Sequence, residues 1–274
     1  MNYNRRDILR LGLGSVIMSA ASAAPFAFAE DGKKIIPVCL QMWSVRNDFK
    51  ANPAKVLEAI AKMGYDGVEY AHMYPLPIKE LAKLQKDFGL TCTGSHLGRN
   101  DVEDPDTLNR NIENHQILGG KFILCAWMKN DTEADWIKAA ENFSKSAEIA
   151  KEAGMYVGYH AHAHDFNKLP NGLTTWEIFA DNSSNDVQLQ MDTSNCPDNP
   201  YYFMEKYPGR CKTVHMKEKD LKIIGEGTID FKRVIEFCET KGGVENYTIE
   251  FEGKNPMVSV DLCKQAFEKI RNSK

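Results

Sequence analysis

Apolar residues fall along this chain in two rhythms that take turns. Short apolar runs at 36–41, 67–70, 91–95, 122–126, 156–161, 187–191, 213–216 and 247–251 read as strands. Between them lie longer amphipathic stretches with helical spacing, near 53–63, 77–88, 105–118, 132–153, 173–181, 200–206, 231–240 and 257–272. Several open on Asn or Asp with Pro next, as in Asn52-Pro53 and Asp104-Pro105, the start of a capped helix. Eight strand-then-helix units imply a parallel sheet, and eight in about 245 residues is the size of a closed (β/α)8 TIM barrel. An open doubly wound sheet is the alternative, but no Gly-rich phosphate loop follows the first strand.

The first 29 residues follow neither rhythm. Asn4-Arg5-Arg6-Asp7-Ile8-Leu9 precedes an apolar stretch from Leu11 to Ala24 and then Ala27-Phe28-Ala29, an A-x-A cleavage site. This is the pattern of a twin-arginine export signal, so residues 1–29 are expected to be removed and 30–274 to form the barrel, acting in the periplasm. A run of about 14 residues broken by glycines is too short to span a bilayer, so no stable membrane span is expected after signal removal.

Composition narrows the partners. The formal net charge is −4; without residues 1–29 the 34 basic residues lose three and the 38 acidic ones lose one, giving −6. An acidic barrel is a poor fit to a phosphate backbone, so no nucleic-acid partner is expected. Seven cysteines lie far apart without a C-x-x-C, which points to buried thiols rather than a disulfide framework. No stripe on the outer helices marks an interface; a homo-oligomer is compatible with the pattern.

In a parallel barrel the chemistry sits where the strands end. The fifth strand runs into Tyr159-His160-Ala161-His162-Ala163-His164, with three histidines two apart, which in an extended chain face one side. The sixth ends Gln190-Met191-Asp192-Thr193-Ser194-Asn195, the seventh His215-Met216-Lys217-Glu218, the eighth Glu250-Phe251-Glu252. Any one of these reads as a cap or rim ion pair. Four consecutive strands offering His, Asp, His and Glu at one level can instead surround one ion, and nitrogen with carboxylate oxygen suits Mn²⁺, Co²⁺, Zn²⁺ or Mg²⁺. Trp43, Tyr74 and Trp127 stand near strand ends and could stack on a ligand, or simply pack. His96 ends the third strand as a substrate contact or packing residue, and Glu69 faces either the barrel floor or the site. His72 and His115 carry no functional signal.

These residues resemble the sugar phosphate isomerase/epimerase family of xylose-isomerase-like barrels over nearly all of 35–270. The matching pieces are Tyr159 to Phe166, Asp192-Thr193, His215-Met216-Lys217-Glu218, Gly225-Glu226-Gly227-Thr228-Ile229-Asp230 and Glu250, in that order. The resemblance implies one divalent metal ion held by His160, Asp192, His215 and Glu250, with Glu250, His162 and Lys217 as catalytic groups. It implies substrate contacts at Trp43, His96, Trp127, His164 and Asn195. Epimerases of that family acting on free ketoses carry glutamate where His160 stands, with two glutamates exchanging the proton on opposite faces. With only Glu250 of that pair, one-sided proton removal is favoured.

The expected reaction is metal-dependent proton removal next to a sugar carbonyl. Phosphorylated sugars are largely cytoplasmic, and members of the resembled family eliminate from 3-keto-glycosides. A 3-keto-glycoside lyase is therefore the first expectation, with a small-molecule sugar or keto-glycoside as partner, and a sugar isomerase or epimerase the second. A sugar-binding protein without turnover and an abasic-site endonuclease are the remaining alternatives.

Overall fold

Each strand divides its residues between two buried environments. Val38 and Leu40, Val68 and Tyr70, Ile123 and Cys125, Val157 and Tyr159, Leu189 and Met191, Val214 and Met216, and Tyr247 and Ile249 belong to one hydrophobic core, between sheet and helices. The residues interleaved with them include Gln41, Glu69, His160, Gln190, Asp192, His215 and Thr248, all buried and all polar. Alternation at period two sends one set outward and the other into the barrel. The strands thus read as nearly continuous buried runs while enclosing a polar interior.

The computed structural model describes residues 36–72, 74–197 and 199–273. The export signal expected at 1–29 lies outside them. Eight strands, β1 (Val38–Gln41), β2 (Gly67–Ala71), β3 (Thr91–Leu97), β4 (Phe122–Cys125), β5 (Tyr156–His160), β6 (Gln188–Asp192), β7 (Thr213–Met216) and β8 (Asn246–Ile249), pair in chain order and in parallel, with β8 closing onto β1. The fold is a single (β/α)8 barrel, and the eight strand expectations fall on its eight strands with ends shifted by at most two residues.

The helices are α1 (Arg46–Ala51), α2 (Pro53–Lys62), α3 (Ile78–Asp87), α4 (Arg99–Glu103), α5 (Pro105–Leu118), α6 (Glu133–Glu152), α7 (Thr175–Asn182), α8 (Pro200–Lys206), α9 (Phe231–Thr240) and α10 (Pro256–Arg271). Their starts have local causes. The Asn52 side chain accepts from the Lys55 amide with Pro53 in the first turn, and Asp104 caps α5 in the same way. Reciprocal boxes, Thr132 with Asp135 and Thr174 with Glu177, open α6 and α7. Two short helices, α1 and α4, escaped the periodicity because each is barely more than one turn and carries one buried apolar residue, Phe49 or Val102. Both sit just beyond β1 and β3, on the face where the strands end. Among the described residues no helix is long and apolar enough to cross a membrane. All seven cysteines are buried, and no disulfide joins them.

Glycines let the barrel close. A Cβ on Gly94 of β3 would stand 2.1 Å from the Phe122 carbonyl oxygen, and one on Gly158 of β5 would stand 2.4 Å from that of Gln188. Both obstacles are backbone, which cannot swing aside. Gly94→Ala should therefore cost roughly 1–3 kcal/mol of stability as an overpacked interior. Denaturant unfolding measures it, and an unchanged midpoint would contradict the close approach.

Candidate metal centre

Register places the polar ends of the strands together. His160 lies opposite Gln190 across β5 and β6, Asp192 opposite His215 across β6 and β7, and Gln41 opposite Glu69 across β1 and β2. Glu250 follows the last residue of β8. One ligand atom from each of His160, Asp192, His215 and Glu250 falls within 4.8 Å of the others, and all four residues are buried. His215 Nδ1 is 2.7 Å from Glu250 Oε2, and His160 Nε2 is 3.7 Å from Asp192 Oδ2.

The donor set fits a cation on one observation above all. Asp192 Oδ1 accepts the backbone N–H groups of Ser194 and Asn195 at 2.8 and 2.9 Å, while its Oδ2 is buried with no hydrogen-bond partner. A carboxylate oxygen left so is costly, and burial pushes the Asp192 carboxyl up to about 6 against the pull of Lys217. A cation among the four groups would satisfy that oxygen. His96, His160 and His215 also converge, but His96 Nε2 bonds Gln190 Oε1 at 2.7 Å and lies 3.0 Å from Glu69 Oε1, so the mixed set, which holds the unpartnered Asp192 oxygen, fits a cation better.

Charges in the interior set one another. Burial would lower the His215 imidazole, but Glu69 and Glu250 on its two nitrogens raise it to about 10. Burial would raise the two carboxyls, yet the neighbouring histidines hold Glu69, and His215 and Lys217 hold Glu250, well below the usual carboxylate range. Lys217 Nζ stands 3.2 Å from Glu250 Oε1 and also contacts Glu252, which keeps it an ammonium. Burial, with the cluster of histidines around it, drives His160 well below its ordinary value, so it is neutral.

The remaining predicted residues divide. The three-histidine pattern holds for two: β5 ends at His160, the rings of His160 and His162 are 4.9 Å apart, and Nδ1 of His162 is buried without a partner. His164 departs from it, because a 3-10 turn at Ala163–Phe166 replaces the extended chain. Its Nε2 instead meets the Met128 carbonyl at 2.8 Å, and its ring lies 5.7 Å from that of Trp127. Asp165 builds that turn, accepting from Tyr159 Oη and from the His162 backbone N–H at 2.8 Å. The Asn195 side chain donates to the Ala161 carbonyl at 3.0 Å and so ties the loops after β5 and β6 together. Trp43 and Trp127 are exposed, at 41% and 53% of their surface, with the Arg46 guanidinium 4.3 Å above the Trp43 ring. Tyr74 Oη bonds Ser95 Oγ, and His115 is a packed core residue whose Nδ1 meets the Asn111 carbonyl oxygen. The Gly225–Asp230 motif wraps the Glu218 carboxylate, which accepts from the Gly225 and Ile229 backbones.

Three residues at the heart of the interior were not singled out: Gln41, Gln190 and Thr213. Glu69, which the sequence allows at either floor or site, is fully buried and bonds His215. The available signal was Gln188-Leu189-Gln190-Met191-Asp192, polar at every second position of an apolar run.

A family model described as the xylose isomerase-like TIM barrel matches residues 57–272. The chain is 23% identical over 228 residues to an inosose dehydratase of Glaesserella parasuis, spanning 66% of this chain and 76% of that protein. It is 23% identical over 233 residues to an L-ribulose 3-epimerase of Mesorhizobium japonicum, with 76% and 78% of the two chains covered. A sugar phosphate isomerase/epimerase from Parabacteroides distasonis has the same fold, with a TM-score of 0.77 at 22% identity over 90% of this chain and all of that one.

Two expectations follow. Asp192→Asn puts an amide where an unpartnered carboxylate oxygen stood, so in EDTA the variant should be more stable by roughly 1–2 kcal/mol. Saturating Mn²⁺ should raise the melting midpoint of the parent chain and leave that of the variant nearly unmoved; equal shifts would place the cation elsewhere. Asp165, with burial pushing its carboxyl up to about 6, holds its proton more tightly folded than unfolded. Its contribution is full below the ordinary carboxylate range and is lost as pH rises through about 6. Stability relative to Asp165→Asn should fall by on the order of 1–3 kcal/mol between about pH 4 and pH 7, by denaturant titration at each pH.

Proposed function

We propose, from the premise that the chain belongs to the xylose isomerase-like TIM barrel family, that it removes a proton next to a carbonyl of a sugar and expels a group beta to that carbonyl. It is a carbohydrate-modifying enzyme; the finer reading is a lyase acting on a 3-keto-glycoside. The observation that carries this is the unlike pair of proton acceptors around one centre, a neutral histidine with a free nitrogen and an anchored carboxylate. The relatives' names, one a dehydratase and one an epimerase, span the two outcomes open to such a site.

His160, Asp192, His215 and Glu250 would hold the divalent ion, one of Mn²⁺, Co²⁺, Zn²⁺ or Mg²⁺. When bound, it supplies Lewis-acid stabilisation of the negative charge that develops on the carbonyl oxygen. The chain's own residues do the rest. Burial, then the neighbouring His164, holds His162 down to about 4, so it is neutral near pH 7 and its unpartnered Nδ1 can take the alpha proton. Glu250, the second candidate base, is kept ionised and aimed by His215 and Lys217. The Lys217 ammonium can return a proton to the departing oxygen as the C–O bond breaks and the double bond forms. The exposed rings of Trp43 and Trp127 offer apolar faces to the sugar or its aglycone.

Epimerisation needs a proton delivered to the opposite face, and the epimerase relative supports it as the second reading. A binding protein without turnover would have no use for a base beside the centre. The acidic charge does not suit a nucleic-acid substrate. The Arg5-Arg6 leader supports action in the periplasm after export.

Proton NMR in D2O of the Mn²⁺-treated chain, freed of excess metal and offered a 3-keto-glucoside, tests the reading. Release of the aglycone with an unsaturated keto-sugar establishes the lyase. Deuterium uptake at the alpha carbon without loss of a group establishes the isomerase or epimerase, and no change with any sugar turns the assignment to a binder. Glu250→Gln should abolish exchange with the fold intact, and His162→Asn should slow it by about 10²- to 10⁴-fold.

A further inference from the structure

The polar interior is not a loose collection of groups: its hydrogen bonds all point one way. An ionised carboxylate is acceptor-only. Glu69, with no exposed surface, uses Oε1 to accept from Gln41 Nε2 and His215 Nε2, each at 2.7 Å, with His96 Nε2 3.0 Å from the same oxygen. Its Oε2 accepts from Gln190 Nε2 at 2.9 Å.

Two consequences follow from donor bookkeeping. His215 must keep a proton on Nε2, so the proton a cation would displace is the one on Nδ1, the nitrogen facing Glu250. The Gln190 amide spends its two hydrogens on Glu69 and on Thr213 Oγ1 at 3.2 Å, so its oxygen can only accept. That oxygen is 2.8 Å from His160 Nδ1 and 2.7 Å from His96 Nε2. His160 therefore carries its proton on Nδ1, and its lone pair is on Nε2, the nitrogen facing Asp192.

We propose that Glu69 is a positioning residue that fixes which ring nitrogen His215 and His160 each present to the centre, directly for the first and through the Gln190 amide for the second. The inference rests on the reading of that centre as a cation site. Glu69 touches no substrate in this role; it acts through its partners, as carboxylates behind metal-bound imidazoles do. The two histidines offer different nitrogens, one Nδ1 and one Nε2, and a single carboxylate specifies both.

Reversing the polarity exposes the role. In Glu69→Gln an NH2 group takes the place of Oε2 and faces the NH2 of Gln190, so the Gln190 amide turns over. Its hydrogens then point at His160 Nδ1, forcing the proton of that ring to Nε2 and blocking the nitrogen meant for the cation. The double variant Glu69→Gln with Gln190→Glu restores the direction: the new carboxylate accepts from His160, His96, Thr213 and the amide at 69. Net charge equals that of the parent.

The test is Zn²⁺ affinity by calorimetry together with histidine tautomers by two-bond ¹⁵N–¹H correlation. The parent should bind Zn²⁺ and show His160 protonated on Nδ1. Glu69→Gln should lose about 10- to 100-fold in affinity and show His160 protonated on Nε2. The double variant should recover both. If Glu69→Gln does not fold, Gln190→Met serves instead, with His160 losing its fixed tautomer while His215 keeps Nε2–H. A weakened affinity with the His160 tautomer unchanged means that Glu69 acts as charge alone and overturns the inference, as does an affinity within twofold of the parent. A parent that binds no Zn²⁺, Mn²⁺, Co²⁺ or Mg²⁺ overturns the cation site itself, and the inference with it.

Discussion

One carboxylate with no contact with water, Glu69, organises the barrel interior. Taking such a charge out of solvent costs several kcal/mol unless donors replace the water it loses. Here Gln41 of β1, Gln190 of β6 and His215 of β7 supply them, with His96 of β3 3.0 Å away, so strands that are not neighbours in the sheet are joined across its axis. A closed barrel is usually filled by apolar layers. This one trades part of that filling for a hydrogen-bonded network, and its apolar packing moves to the space between sheet and helices.

That arrangement explains how the site can be both buried and poised. Glu69, His96, His160, Asp192 and His215 are held by strands and Glu250 directly follows one, so their geometry is fixed by register. Loops after β5 and β6 are tied to one another by Asn195 and shaped by Asp165, which keeps His162 beside the cluster with one nitrogen free. Aromatic faces, Trp43 and Trp127, stand outside the polar interior, where an organic group can reach them.

Much of this was legible in the sequence, for identifiable reasons. The two periods separate strands from helices without ambiguity where runs are long, and the polar residues that close β5 to β8 mark the centre by residue type and order. The period-two argument failed at His164 because Asp165, two side chains' reach away, captures the Tyr159 hydroxyl and the His162 amide and turns the chain. Glu69 was ambiguous for a different reason. A single acid in an apolar strand has no local signature of its partners, which come from 27 to 146 residues away and are revealed only when the barrel closes. Short helices α1 and α4 left no periodic trace because one turn buries one residue.

The buried thiols carry a consequence for how the folded chain meets an oxidant. Burial pushes Cys125 and Cys211 up to about 12 and raises Cys39 and Cys238 strongly, so almost no thiolate is present at neutral pH. Thiolate, not thiol, attacks disulfides and is oxidised. Those four thiols therefore offer an oxidant almost no thiolate while the chain stays folded, and each becomes vulnerable only when its own segment opens. The sulfurs amount to a distributed record of local unfolding, written wherever the barrel breathes.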